Sequence, residues 1–177
     1  MAVLNSLLMT VYVVLVLYGA WTDMRELRIP NWISLSLLVA FLGVAVSMFM
    51  PMETIAWHLA AGALTLVVGF AVFAFGYFGG GDAKLMAACA LWVGWDQLLM
   101  FVLAVLLVGG VLSLLVVLLR KGLGMWPDWL VKNAEGLFVP NKAIPYGIAI
   151  AAGAMIVLPR MSVFPEQWRT LIHILAG

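Results

Sequence analysis

Two aspartates have the sequence surroundings of reactive side chains in this chain of 177 residues. Asp23 lies at the end of an apolar run, and Asp82 directly follows Gly79, Gly80 and Gly81. Consecutive glycines weaken helical order and leave the backbone bare, which permits close approach by another segment or unusual φ values. An acid directly after such a stretch is a candidate for a functional site. An acid at the end of a helix, by contrast, is commonly a solvated boundary residue.

The two aspartates are more informative together than separately. Two carboxylates that lie close together do not both ionise easily, so one keeps its proton while the other is charged. The charged one can take a proton from a water molecule that attacks a carbonyl carbon, and the protonated one can donate to the carbonyl oxygen or the leaving amine. These two roles hydrolyse an amide without a metal, and they require a position that water reaches.

Other catalytic chemistries find little support in the sequence. His58 and His173 are predicted on the opposite side of a membrane from the two aspartates. The chain contains no HExxH or GxSxG motif and no pair of cysteines or histidines at the spacing of metal ligands. Cys89 lies within an apolar run, which favours a small buried hydrophobic residue over a nucleophile. We therefore predict no metal and no cofactor.

The elements that position these residues must lie in lipid. Apolar residues make up 66% of the chain and charged residues 10%, whereas soluble domains have about 45–50% and about 25%. A globule of this size cannot bury that much apolar surface, so we predict an all-α integral membrane protein with a single domain over residues 1–177. A net charge of +1 offers no basic surface to nucleic acid.

Hydropathy predicts six transmembrane helices, since apolar runs of about 17–25 residues are long enough to cross a bilayer. They cover residues 3–21, 32–50, 54–78, 84–95, 97–119 and 143–158. The fourth is too short alone, and we expect it to extend back into the glycines before Asp82. Pro30 and Pro145 suit the first turns of the helices that follow them, and Asn31 and Thr54 are candidate N-caps.

Basic residues predict the orientation of the helices. The loops after the first, third and fifth spans contain seven of them: Arg25, Arg28, Lys84, Arg120, Lys121, Lys132 and Lys142. The opposite side has only Arg160 and Arg169. The positive-inside rule therefore places those three loops and both aspartates at the cytoplasmic face, with both termini outside. The eight tryptophans lie near span ends or in the third inner loop, as an interfacial aromatic belt predicts.

Small residues that recur at helical spacing in the third and sixth spans indicate close helix packing. They are Gly62, Gly69 and Gly76 in the third span, and Gly147, Ala149, Ala151 and Gly153 in the sixth. We assign these residues no chemistry. The loop 120–142, which mixes tryptophans with charges, either borders the substrate entrance or is a passive interfacial linker.

The two aspartate segments resemble the motifs of the type IV prepilin peptidases, which are membrane aspartyl proteases of the GxGD type. Residues 79–85, Gly-Gly-Gly-Asp-Ala-Lys-Leu, resemble the family's G-x-G-D-x-K-L element. Residues 23–31, Asp-Met-Arg-Glu-Leu-Arg-Ile-Pro-Asn, resemble its first motif, D-x-R-x-x-x-I-P-N. Residues 145–150, Pro-Tyr-Gly-Ile-Ala-Ile, are similar to the P-Y-G-x-A-I segment of its last span.

The resemblance implies a six-span protein of the bacterial inner membrane that cleaves prepilins or pseudopilins on the cytoplasmic side. It implies cleavage after a glycine, just before the apolar N-terminal helix of the substrate. Asp23 and Asp82 would be the catalytic pair, with residues 79–81 and Lys84 shaping the site. The short first inner loop has no cysteine, unlike the cysteine-rich insert of long members that also N-methylate the product. The chain thus resembles the short form of tight-adherence (Flp-type) pilus systems, and we predict peptidase activity without methylation.

Two other functions remain open at this point. A small proton-coupled transporter or channel would use the aspartates as relay carboxylates. The chain lacks two similar halves, and its polar groups cluster on one side, which disfavours this alternative. A non-enzymatic scaffold for pilus assembly would hold the aspartates for structural reasons and would tolerate their replacement by asparagine.

Overall fold

A computed structural model describes residues 2–76, 78–121, 144–164 and Trp168. Its regular structure is entirely helical in these residues, as the hydropathy predicts. The helices are α1 (Ala2–Glu26), α2 (Asn31–Ser47), α3 (Met52–Ala74), α4 (Gly80–Val93), α5 (Trp95–Lys121) and α6 (Tyr146–Val157), followed by a 3₁₀ turn (Leu158–Arg160). Residues 122–142 of the third inner loop, with Trp126 and Trp129, and His173 in the C-terminal tail lie outside the described residues.

Consecutive helices run in opposite directions. Contacts join the end of α1 to the start of α6 and the start of α2 to the start of α4. At the other end of the bundle, contacts join the start of α1 to the end of α2 and the start of α3 to the end of α4. The ends of α1 and α3 and the starts of α2, α4 and α6 therefore lie together. We call this the aspartate end of the bundle.

Three helices, α1, α3 and α5, are long and apolar enough to cross a membrane, and α2 and α6 are shorter apolar helices. Their outward faces carry exposed aliphatic side chains, such as Val39, Val67 and Leu107, which are 62%, 68% and 71% exposed. Exposed apolar surface on this scale is unfavourable in water and favourable in lipid. The chain is a membrane protein.

Helix α4 lies at the centre of the bundle. Most of its 14 residues are buried, so it presents little surface to lipid and can be shorter than a bilayer is thick. Its many small side chains let neighbouring helices approach. A β-carbon added to Gly62 or Gly69 of α3 would lie 3.2 Å from Leu91 Cβ or 3.0 Å from Ala83 Cβ. These two glycines therefore serve helix packing, as predicted, and α4 begins in the glycines, as predicted.

The structure extends one predicted span and corrects three residues predicted at helix starts. Helix α1 continues to Glu26, beyond the predicted end of the span at residue 21, and Asp23 lies in its last turn. Neither Asn31 nor Thr54 is an N-cap, because α2 and α3 begin one residue after Pro30 and Pro51, and neither helix has a side-chain cap. The φ angles of −62° and −57° and the extended ψ angles of these prolines suit the residue before a helix. Pro145 takes the same place before α6, ahead of the first turn that we predicted for it.

Two other predictions need correction. Gly76 does not continue the glycine stripe of α3, because the helix ends at Ala74 and Gly76 has a φ of +78° in the turn that follows. Trp92 is not part of an interfacial belt, because its side chain is fully buried. Its indole N–H donates a hydrogen bond of 2.9 Å to the Leu37 carbonyl oxygen, and its ring packs against Tyr12. The buried hydrogen bond satisfies the one polar atom of the ring.

Candidate active site

Asp23 is buried at the aspartate end of the bundle. Its Oδ2 atom accepts a hydrogen bond of 2.7 Å from the backbone N–H of Gly147. Gly147 lies in the first turn of α6, where backbone N–H groups have no partner within the helix. The positive end of the helix dipole also favours a negative charge at this position. The Asp23 side chain is therefore held in place by a helix that is far away in sequence.

Asp82 is buried in the first turn of α4. Its Oδ2 atom accepts a hydrogen bond of 3.2 Å from the backbone N–H of Gly79, the residue that precedes the helix. This is the arrangement in which an acid in the first turn reaches back to the N-cap residue. The other oxygen, Oδ1, is buried and accepts no hydrogen bond from the residues that the structure describes. One oxygen thus fixes the side chain, and the other has no donor among the described residues.

The two carboxyl groups line one cavity of about 350 Å³, which we call the aspartate cavity. Its walls are formed by Asp23, Leu27, Arg28, Ile29, Pro30, Asn31, Phe73, Gly79, Gly80, Gly81, Asp82 and Lys84. Asp23 is close enough for its charge to act on Asp82. The cavity has polar groups in its wall and is large enough to hold water molecules. The structure thus brings together all six residues that the sequence singles out for the site.

The glycines before Asp82 are required for space and not for unusual backbone angles. Gly79 has ordinary extended angles, φ −76° and ψ 142°, so our alternative of unusual φ values is wrong for this residue. A β-carbon on Gly79 would lie 2.5 Å from Asp82 Oδ2, and one on Gly81 would lie 3.2 Å from Ile29 Cβ. A β-carbon on Gly80 would make only an ordinary contact, 3.5 Å from the Phe73 ring. At two of the three positions, a side chain would therefore require neighbouring atoms to move.

A sharp turn after α1 places the segment 27–30 against α4. Leu27 has a φ of 52°, a left-handed conformation that costs about 1–2 kcal/mol in a residue other than glycine. Its N–H donates a hydrogen bond of 2.8 Å to the Asp23 carbonyl oxygen. The turn brings Ile29 against Gly81, so the chain reverses direction directly beside the two carboxyls.

Lys84 and Asn31 connect the starts of α4 and α2 at the rim of the cavity. The Lys84 Nζ atom donates a hydrogen bond of 2.9 Å to Asn31 Oδ1. This bond places a positive charge at the rim of the aspartate cavity. Asn31 was predicted as a helix cap, and its side chain serves this contact instead.

Comparison with protein families agrees with this geometry. A sequence model of the type IV leader peptidase family matches residues 10–114, which is more than half of the chain and includes both aspartates. The chain belongs to this family. The suspected resemblance is confirmed, and peptidase activity is favoured over the transporter and the scaffold. Comparisons with curated proteins and with solved structures give no significant match.

In this leader peptidase, the residues considered for other catalytic chemistries lie away from the aspartate cavity. His58 is buried near the opposite end, where its ring nitrogens lie 2.7 Å from the Leu91 carbonyl oxygen and 3.2 Å from Ser162 Oγ. Cys89 is fully buried in the core, as predicted. Within the described part of the chain, no group of three histidine, cysteine or acidic residues converges on a point where a metal ion could bind.

Sequence reasoning missed the part that Gly147 plays in this leader peptidase. We assigned it to helix packing because of its spacing from Ala151. In the structure, a β-carbon at Gly147 would lie 2.8 Å from Asp23 Cβ and 2.9 Å from Asp23 Oδ2. The available signal was the Pro-Tyr-Gly segment, which was quoted for the resemblance but was not connected to Asp23.

Proposed function

We propose that this leader peptidase is an aspartyl endopeptidase in which Asp23 and Asp82 activate a water molecule. The observation that carries the proposal is that both carboxyl groups, buried on two different helices, line a single polar cavity. A buried acid without a partner is costly, so a second one beside it is uncommon without a function. Two such groups supply the base and the acid that hydrolysis of a peptide bond requires.

We further propose that Asp23 is the base and Asp82 the acid. Asp23 accepts the shorter hydrogen bond and lies at the positive end of α6, and both features favour its carboxylate form. Asp82 accepts a longer bond at one oxygen, and its other oxygen has no donor among the described residues. A proton on that oxygen removes the repulsion between the two groups. Asp23 then takes a proton from water, and Asp82 donates one to the carbonyl oxygen or the leaving amine.

The proposed substrate is a prepilin or pseudopilin, cleaved after the glycine that ends its leader. We propose that six helices span the bacterial inner membrane, that both termini are outside, and that the aspartate cavity faces the cytoplasm. Basic residues near the cavity, including Arg25, Arg28 and Lys84, support this orientation. Residues 1–177 would form one peptidase domain. The segment 27–30 is too short to hold a further domain, which supports cleavage without N-methylation.

The glycines and Lys84 shape the site in this proposal and do not react. Gly79 and Gly81 make room for the Asp82 carboxyl and for Ile29, and Gly80 lies beside Phe73 in the cavity wall. Lys84, held by Asn31, lies where it can bind the substrate backbone at the rim. The chemistry then belongs to the two aspartates alone.

The test is cleavage of a reconstituted prepilin by Asp23→Asn and Asp82→Asn variants in lipid vesicles. Each single variant and the double variant should lose cleavage to the same extent, because members of one catalytic unit are not additive. Matched controls are Glu26→Gln, an exposed acid in the last turn of α1, and Asp96→Asn, an exposed acid in the first turn of α5. Both should retain activity. Cleavage by folded Asp82→Asn protein would refute the proposal.

The assignment of acid and base has its own readout. The infrared band of a protonated carboxyl group should be present in the wild type, be lost in Asp82→Asn and persist in Asp23→Asn. Loss of the band only in Asp23→Asn would reverse the roles of the two residues and leave the catalytic pair intact.

A further inference from the structure

An apolar groove opens on the side of the bundle between α3 and α5. It has a volume of about 570 Å³. Its sides are formed mainly by aliphatic residues, namely Leu64, Val68 and Val72 of α3 and Leu98, Val102 and Leu106 of α5. None of the described residues that line it is charged. The hydroxyl group of Thr65 is already satisfied, because it donates a hydrogen bond of 2.8 Å to the Ala61 carbonyl oxygen. The groove therefore suits an apolar occupant in lipid.

Small residues give the groove the shape that a helix needs. Gly69 and Gly110 both line it, and a β-carbon on Gly110 would meet nothing within 4 Å. Glycine at such a surface lets the backbone of a second helix come close. At 1.5 Å per residue, the lining runs about 12 Å along α3, from Leu64 to Val72, and about 18 Å along α5, from Leu98 to Gly110. This is the length of two to three helical turns.

The groove ends beside the two aspartates. Phe78 and Tyr146 both line it, and their rings meet edge to face with centroids 5.5 Å apart. Gly79 follows Phe78 in the chain, and its N–H donates a hydrogen bond to Asp82. Gly147 follows Tyr146, and its N–H donates a hydrogen bond to Asp23. An apolar segment in the groove would therefore end at this aromatic pair. The pair is one residue away from the two glycine N–H groups that position the carboxyls.

We propose that this groove, which we call the α3–α5 groove, binds the apolar helix of the substrate that follows the cleaved glycine. The inference rests on the proposed function. A segment in lipid must be helical because it has no other hydrogen-bond partners. The first residues of the substrate helix can unwind only where water and polar groups replace the backbone hydrogen bonds of the helix. The aspartate cavity is such a place. The aromatic pair of Phe78 and Tyr146 marks the boundary between bound helix and extended cleavage site.

A substrate helix is favoured over a lipid chain by this continuity with the aspartate cavity. A lipid chain would use the apolar walls but would gain nothing from the glycine surface or from the alignment with the two carboxyls. The helix would run antiparallel to α3 and α5, with its N-terminal end at the aspartate end of the bundle. The leader that precedes it would then lie in the cytoplasm under the proposed orientation.

Gly110 provides the sharpest test, since its side of the groove is open. Gly110→Trp should fill the groove, whereas Gly110→Ala should be nearly silent. Val111→Trp is the matched control, because Val111 is 69% exposed and does not line the groove. Two substrates are compared in vesicles: the full prepilin and a peptide with the same leader and cleavage site that is truncated before the apolar helix.

We expect Gly110→Trp to lower kcat/KM for the full prepilin by roughly tenfold or more through KM, because the helix loses its close packing. Gly110→Trp should cleave the truncated peptide as fast as Val111→Trp does. The two variants should also have the same thermal midpoint of unfolding. Equal cleavage of the full prepilin by both tryptophan variants would overturn the inference. Equal loss on both substrates would also overturn it, because the effect would then lie at the aspartate cavity.

A second experiment does not depend on catalysis. A photoreactive benzoylphenylalanine replaces Gly110 in one protein and Val111 in the other, both in the Asp82→Asn background, and each is irradiated with full prepilin in vesicles. Crosslinks to the apolar helix from position 110 only would support the groove. Crosslinks to lipid alone at both positions would refute it. Wild-type protein that binds but never cleaves prepilin would instead refute the proposed function and leave the groove supported.

Discussion

The backbone N–H of Gly147 donates a hydrogen bond of 2.7 Å to Asp23 Oδ2, which joins two residues separated by 124 positions in the chain. This contact packs the first turn of α6 against the last turn of α1. It leaves no space for a side chain at position 147, where a β-carbon would lie 2.8 Å from Asp23 Cβ. The last helix of the described bundle thereby determines the orientation of an acid on the first.

Gly147→Ala should therefore impair catalysis by displacing Asp23. A displacement on the order of 1 Å at a catalytic group can lower the rate by about a hundredfold. We expect a loss of that size in kcat, with a smaller change in KM, measured on reconstituted prepilin. Gly153→Ala is the control, because its β-carbon would also clash, 2.5 Å from Val105 Cγ2, but away from the aspartates. Gly153→Ala should lower the thermal midpoint of unfolding and leave kcat of the folded protein unchanged. Similar kcat losses in both variants would contradict the prediction.

Alanine substitutions in the glycine triplet should differ sharply. Gly79→Ala forces the Asp82 carboxyl to move, and Gly81→Ala pushes α4 away from Ile29, so both should lose most of the prepilin cleavage. Gly80→Ala makes an ordinary contact and removes a glycine from the first turn of α4, so its activity should stay near wild type. Cleavage rates of the three variants at equal membrane levels test this order. Equal effects at all three positions would mean that the spacing to Asp82 and Ile29 is irrelevant.

The dependence of cleavage on pH should show two limbs. At low pH the base gains a proton and can no longer activate water, so the rate should fall. At high pH the acid loses its proton and can no longer donate, so the rate should fall again. The two apparent values belong to the pair and not to either residue. Rates measured across pH with a prepilin that stays folded check this, and a rate that rises to a plateau at high pH would exclude an acid role for either aspartate.

The orientation of the bundle can be tested with single added cysteines. Glu26 lies at the aspartate end and Met52 at the opposite end, and both are exposed. A thiol reagent that does not cross membranes should label Met52→Cys in intact cells with the outer membrane permeabilised, and should label Glu26→Cys only after cell lysis. The wild type should stay unlabelled, because the Cys89 thiol is fully buried. The reverse pattern would place the aspartate cavity outside the cytoplasm.

Much of the candidate site follows from local sequence. The apolar runs predict membrane helices, because a segment in lipid must form its backbone hydrogen bonds within itself. The basic residues predict which helix ends lie on the same side of the membrane. The motifs around Asp23 and Asp82 name the acids, and the glycines next to Asp82 indicate close packing. These features depend on a few neighbouring residues, so they can be recognised without knowing which helices touch.

The tertiary structure alone decided which helices touch. In lipid, the faces that pack and the faces that meet acyl chains are both apolar, so hydropathy does not distinguish them. The central position of α4, the burial of Trp92 and the end of the glycine stripe before Gly76 all depend on that choice. The hydrogen bond from Gly147 to Asp23 also depends on that choice. Nearly every residue has a backbone N–H, so the sequence does not indicate which one will meet a carboxyl group. Packing decides it.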